Sequence, residues 1–249
     1  MERKTVWVEE TRVKSYETDF LYRWKPACFF QNMQEAATNH ASHLGFDYTV
    51  MFAQDMIWVL TRMKLKIFEF PRLREAVTIR TWPKGIQQKL FFMRDFQFVK
   101  PDGGLYAVAT SAWLLMNVSA RRMLLPQALA GDLPDNGGRY ALDEPLEKIA
   151  PGSLTEQFRV ESGYSAVDLM DHVNNARYIE WVMDCFPQQT HREQMLDWIQ
   201  INYSNEIKPG ECVAISAGQA EKEGGLWYVQ GNNLTSPART FDAAVKWSE

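Results

Sequence analysis

Cysteine is scarce in this chain. Its three residues, Cys28, Cys185 and Cys212, are an odd number without metal-type spacing. That excludes a disulfide framework and implies unpaired thiols in a reducing compartment, the cytoplasm by default. Histidine is scarcer than its roles would allow: of four, His40, His43 and His191 lie at no metal-ligating spacing from Cys, Asp or Glu. No apolar run approaches the roughly 20 residues of a membrane-spanning helix. The opening Met1-Glu2-Arg3-Lys4-Thr5 lacks the apolar core of a secretory leader. No GxGxxG, P-loop, GxSxG or HExxH motif occurs, so neither a nucleotide cofactor nor a metal is implied. Positive charge is not in excess: the net charge is −4, which argues against a general nucleic-acid binder.

What is present is a chain of 249 residues, 46% hydrophobic. That suffices for one large domain or two small ones of roughly 120 residues each. Nine Trp and fourteen Phe suit a packed core, and equally a large apolar ligand pocket. The most telling stretch is Asp168-Leu169-Met170-Asp171-His172-Val173-Asn174-Asn175-Ala176-Arg177-Tyr178. An acid and an imidazole stand four residues apart, ahead of an amphipathic helix. A helix start offers unpaired N–H groups that can polarise a carbonyl oxygen. Asp168 or His172 would handle the attacking water, a combination suited to acyl transfer from a thioester.

The chain also repeats itself. Asp19-Phe20-Leu21-Tyr22-Arg23 occupies the place of Asp168 to His172. Helical stripes follow each: Phe29, Phe30, Met33, Ala37, His40, Ala41 and Leu44 in the first half, Tyr178, Ile179, Val182, Met183 and Phe186 in the second. Gly45 and Pro187 stop the two helices. Further on, Glu75 to Ile79 parallels Glu211 to Ile215, and Trp113 parallels Trp247. The offset is 149 positions at Asp19 and 136 at Glu75, so the first half is longer between its helix and its next strands. The extra segment holds Phe46, Tyr48, Met51, Phe52 and Met56, either an apolar lid or a longer connection. Alternation in Ile199-Gln200-Ile201-Asn202-Tyr203 and Asp95-Phe96-Gln97-Phe98 reads as strands, with Glu206 on the polar parity of its strand. Asp102-Gly103-Gly104 and Glu223-Gly224-Gly225 read as hairpin turns. Residues 131–152, rich in Pro, Gly, Asp and Glu, read as a linker between units at 1–130 and 153–249.

On these residues the chain resembles the acyl-ACP thioesterases of bacteria and plants, which carry two fused hotdog units. The resemblance runs from about Val6 to Trp247 and is most specific at Asp168 to Trp181. It implies an α+β fold of two tandem hotdog units, each a long helix wrapped by an antiparallel β-sheet. It implies hydrolysis of fatty acyl-ACP, with the first unit shaping the acyl pocket and the second carrying the catalytic groups. Carried over residue by residue, those groups are Asp168, His172 and Glu206. Asn175 becomes a supporting residue, and Phe29, Met33, Met56 and Trp58 become candidate pocket walls. Two positions depart from the plant pattern: Met170 stands where an asparagine is expected, and Ile207 where some members have cysteine. Asn174 and Asn175 are the nearby amides that could replace the first; the second removes a Cys/His mechanism. Alone, Asp168 reads as a helix N-cap and His172 as a packed histidine. Arg23 cannot act as a base, so the first copy of the site is lost and Arg23 pairs locally.

The partner implied is acyl carrier protein, which is acidic. Arg121-Arg122, Arg72 with Arg74, and Lys64 with Lys66 are the candidate docking pairs. No membrane span and no nucleic-acid partner are implied. The fused units form an internal pair, and the sequence leaves open a homodimer through sheet edges. The competing readings are an acyl-CoA thioesterase, a hotdog hydratase or dehydratase, and an acyl-binding protein without turnover, which Met170 would favour.

Overall fold

The structure, a computed structural model, describes residues 3–221 and 223–248. The chain divides into two compact units: Met1–Trp24 with Gln31–Leu146, and Lys25–Phe30 with Glu147–Glu249.

The first unit contains strands β1 (Trp7–Arg12), β2 (Met56–Ile67), β3 (Ala76–Gln87), β4 (Phe91–Val99), β5 (Leu105–Asn117) and the short β6 (Arg122–Leu124). They form an antiparallel sheet in the order β1-β3-β4-β5-β2, with β6 paired to β5. Helix α1 (Pro26–His43) has its first turn among the residues of the second unit and the rest in the first. Phe29, Met33 and Ala36 are fully buried along it. Helix α1 ends as its sequence requires: Gly45 takes the left-handed conformation, φ 84°, and Phe46 N returns to Ala41 O at 2.8 Å. Helix α2 (Tyr48–Ala53) follows, capped by Asp47, whose side chain accepts from Val50 N at 3.0 Å.

The second unit has the same order of parts. Strands β7 (Thr155–Glu161), β8 (Met195–Tyr203), β9 (Cys212–Gln219), β10 (Leu226–Asn233) and β11 (Ala238–Ser248) form an antiparallel sheet ordered β8-β11-β10-β9-β7. Helix α3 (Asn175–Asp184) packs on it through Tyr178, whose ring meets Tyr203 and Phe241 edge-on at 5.4 Å each. Pro187 then caps α4 (Gln188–Glu193). Gly225 in the β9–β10 turn has φ 71°, and a Cβ there would lie 2.4 Å from Trp247 O, so both backbone angle and space demand glycine.

Three expectations change. The extra length of the first half is not mainly an inserted lid: α1 has 18 residues against 10 in α3, and β2 has 12 against 9 in β8. The segment after α1 is the short helix α2, matched by α4, and Phe46, Met51 and Met56 join a core cluster with Phe92, Leu115 and Leu129. Second, Glu206 is not on a strand. β8 ends at Tyr203, and Glu206 lies in the loop beyond it. Third, the polar parity of β8 is neither solvated nor part of a site: Gln200 and Asn202 are buried, and both donate to Glu147 O, at 2.7 and 3.1 Å.

Residues 131–152 hold no regular element, yet they are not a free tether. Trp82 Nε1 donates to Arg139 O at 3.0 Å and Lys84 Nζ to Leu142 O at 2.6 Å. Ala141 N donates to Asp95 Oδ2 at 2.7 Å, and Leu142, Leu146 and Ile149 are buried. This is why Asp95, on the polar parity of β4, is fully buried: the segment and Lys84, 3.0 Å away, replace its water.

Candidate active site

The loop between β7 and α3 is built by its own backbone. Asp168 N donates to His172 O at 2.9 Å, and Asp171 N to Asp168 O at 3.0 Å. Asp171 adopts a left-handed conformation, φ 59°, to close the turn. Val167 and Val173 form an antiparallel bridge across it. The Asp168 carboxylate fills the turn: Oδ1 accepts from Met170 N at 2.9 Å and Oδ2 from Asn174 Nδ2 at 3.1 Å. Asp168 is therefore not the N-cap of the helix. That position belongs to Asn174, whose Oδ1 accepts from Ala176 N at 2.9 Å. The helix starts at Asn175, so His172 stands ahead of it.

His172 and Glu206 meet, with Nε2 3.0 Å from Oε2. The imidazole is 27% exposed and the carboxylate 57%, so water reaches both. Two contacts bring the Glu206 loop to the Asp168 loop. Val173 N donates to Ile207 O at 2.9 Å, and buried Tyr178 has a hydrogen bond to the Ile207 backbone. Burial pushes the Tyr178 phenol well up; the Ile207 bond opposes this, and the Glu206 and Asp168 carboxylates add to it. An ionised carboxylate only accepts, so the 3.0 Å contact places a hydrogen on His172 Nε2. In the neutral ring Nδ1 is then an acceptor. A carboxylate holding one imidazole nitrogen so that the other is a base is the arrangement that activates water.

One side chain, Tyr178, escaped the sequence reading as an organiser of the site; Asn174 is one of the two amides offered there in place of the missing asparagine. Asn174 supplies the amide that Met170 lacks, while Met170 contributes only its backbone N–H. The signal for Tyr178 was available in the repeat: the first half has Lys25 and Phe29 at the places of Asn174 and Tyr178. That half keeps the loop without the histidine and the glutamate. Asp19 Oδ1 accepts from Leu21 N at 2.8 Å, Asp19 N donates to Arg23 O at 2.9 Å, and Tyr22 has φ 61°. But Arg23 replaces the histidine and pairs with Asp19 at 2.9 Å, as expected of it. Phe70 replaces the glutamate, and the Arg23 guanidinium sits 5.3 Å above its ring.

The remaining candidates are dispersed. Asn175 is the first residue of α3, and its carbonyl accepts from Tyr203 Oη at 3.0 Å. Met56 and Trp58 share the apolar cluster of the first unit, with the Trp58 and Phe92 rings edge-on at 4.8 Å. Phe29 and Met33 are fully buried on α1. Of the cationic pairs, Lys64 is taken by Glu144. Arg72, Arg74, Arg121 and Arg122 are exposed.

Comparison with known proteins gives the family. Residues 4–127 match the acyl-ACP thioesterase N-terminal domain, and residues 151–249 match the acyl-ACP thioesterase C-terminal domain. The chain belongs to the acyl-ACP thioesterase family, and its α+β fold is that family's pair of hotdog units. The crystal structure of an acyl-ACP thioesterase from Bacteroides thetaiotaomicron superposes with a TM-score of 0.89 at 22% identity, covering 98% of each chain. The 12:0-ACP thioesterase from Umbellularia californica gives 0.79 at 19% identity, covering 100% of this chain and 99% of that one. The oleoyl-acyl carrier protein thioesterase 1, chloroplastic, of Arabidopsis thaliana is 26% identical over 227 residues, which are 82% of this chain. The match spans 61% of that relative's length. Among the described residues no helix is long and apolar enough to cross a membrane.

Proposed function

We propose that this chain hydrolyses the thioester of fatty acyl-ACP, releasing free fatty acid and holo-ACP. The observation that carries the reading is the His172–Glu206 pair beside the turn organised by Asp168. Water is deprotonated by His172 Nδ1 as its oxygen attacks the thioester carbonyl. Glu206 holds the imidazole and stabilises the imidazolium that forms. The tetrahedral oxyanion is met by the N–H of Asn175, which as the first helical residue has no intrahelical acceptor. Collapse breaks the C–S bond, and the imidazolium returns its proton to the pantetheine sulfur. Asp168 positions the turn through Met170 and Asn174. Residues 1–130 form the acyl pocket, with Phe29, Met33, Met56 and Trp58 as walls, and residues 153–249 carry the catalytic groups. Cys28, Cys185 and Cys212, none of them in a disulfide among the described residues, fit a cytoplasmic setting.

The test is product analysis with a dodecanoyl carrier substrate, read by mass spectrometry and thiol titration. Wild type should yield the free acid and one thiol per turn, and His172→Ala should lose at least about a hundredfold in kcat. Unchanged turnover in His172→Ala would remove the imidazole from the mechanism.

A further inference from the structure

The first unit carries a second copy of the site's loops, and what that copy presents is unlike the original. Residues 12–24 and 68–75 are stitched into one surface. Val13 N donates to Glu75 O at 3.0 Å, Arg74 N to Val13 O at 2.9 Å, and Leu73 N to Tyr22 O at 3.0 Å. Arg12, Lys14, Arg72 and Arg74 are exposed on it. Arg12 Nη1 donates to Arg74 O at 2.8 Å, which holds those two residues side by side. Among the described residues Arg12, Arg72 and Arg74 make no ion pair.

The acids of the same stretches are already engaged. Glu17 accepts from Lys14 N at 2.9 Å and lies 3.8 Å from Lys14 Nζ. Asp19 is bound by Arg23. Glu75 accepts from Arg72 N and from Tyr106 Oη, both at 2.9 Å, and Glu69 pairs with Lys100. Between the cations stand Tyr16, 70% exposed, and Tyr22, 63% exposed. Large exposed rings beside unpaired guanidinium groups are the composition of an interface.

The repeat supplies an internal control. At the places of Arg12, Lys14, Arg72 and Arg74 the second unit has Glu161, Gly163, Lys208 and Gly210, and Asp171 replaces Tyr22. The same backbone frame therefore forms with one cation in place of four, and with two added acids. Folding does not require the cations of the first copy. On a chain of net charge −4 this local positive surface offers an acidic partner an attraction that the chain as a whole does not.

We infer that Arg12, Lys14, Arg72 and Arg74, with Tyr16 and Tyr22, form the docking surface for the acidic face of the acyl carrier protein. This rests on the function proposed above and gives the two copies of the loop set different roles. The second copy does chemistry and the first holds the carrier. Charge complementarity selects the occupant. An acidic protein face gains from the unpaired guanidinium groups and covers the two tyrosines, and its association weakens with salt.

The experiment compares Arg72→Glu/Arg74→Glu and Lys14→Glu with wild type on two substrates bearing the same acyl chain. One is the carrier thioester and the other the uncharged N-acetylcysteamine thioester. Arg121→Glu/Arg122→Glu is the control of equal charge change. The first two variants should raise KM for the carrier substrate at least tenfold, and its salt dependence should flatten. Turnover of the N-acetylcysteamine thioester should stay within twofold, which also shows the variants are folded. A carrier with acidic residues changed to lysine should recover part of the lost affinity. An unchanged KM, equal loss on both substrates, or an equal effect from the Arg121/Arg122 control overturns the assignment. So does loss of a dimer in sedimentation with KM unchanged, which would give the surface to a second copy of the chain. Wild type that cleaves only the small thioester would instead overturn the carrier substrate itself.

Discussion

Lowering the pH should unlock the first unit at His40. This imidazole is fully buried, with Nδ1 3.0 Å from Arg94 Nη1 and Nε2 3.0 Å from Lys4 O. Trp7 stacks beside it at 6.0 Å. Burial first, then the Arg94 guanidinium, hold its pKa down from 6.5 to about 4; the Lys4 carbonyl opposes this and His43 adds slightly to it. Arg94 must donate to Nδ1, so the native ring is neutral. Above pH 6.5 neither folded nor unfolded His40 binds a proton, and its contribution is complete. Between 6.5 and about 4 only the unfolded chain binds one, so stability falls as pH falls. A gap of that size is worth about 3 kcal/mol, a large part of a typical 5–15 kcal/mol. The assay is urea unfolding at intervals from pH 7.5 to 4, on wild type and His40→Asn. The difference between the two should shrink by about 3 kcal/mol over the range, because asparagine does not titrate. Parallel curves would refute the neutral, Arg94-bound imidazole.

Three further outcomes follow from the second unit. Glu206→Gln keeps an oxygen for Nε2 but loses the charge that stabilises the imidazolium, so kcat should fall about tenfold to a hundredfold with KM little changed, measured by steady-state thiol release. Asn174→Asp should retain the helix cap and repel Asp168, so thermal melting should move little while kcat drops; Asn174→Ala should lose both, costing about 1–2 kcal/mol. Gly225→Ala forces a Cβ toward Trp247 O at a positive φ and should destabilise by about 2 kcal/mol, lowering Tm by roughly 4–8 °C, with activity below the transition intact.

The sequence showed most clearly those features that depend on neighbours along the chain. The stops at Gly45 and Pro187, the duplicated Asp-x-x-x-His/Arg turn, and the local Asp19–Arg23 pair are all of this kind. The start of α3 was misread because Asp168 can satisfy either a helix end or a turn. Its partners, Met170 N and Asn174 Nδ2, decide for the turn. Alternation gave the parity of β4 and β8 correctly but not burial. Asp95, Gln200 and Asn202 are polar residues covered by residues 139–147, and no periodicity within a strand reveals a segment laid over it. Glu206 was placed on a strand for the same reason, since parity continues past the last ladder residue, Tyr203. Its nearness to His172 depends on the Val173–Ile207 bond, a contact between loops 34 positions apart.

The central claim is tested most directly by thiol release from matched C8–C18 acyl-ACP and acyl-CoA series. The account predicts turnover of acyl-ACP over CoA at the same chain length, with a maximum at one length. Tight binding of acyl chains without release from either carrier would contradict it and make the protein an acyl binder.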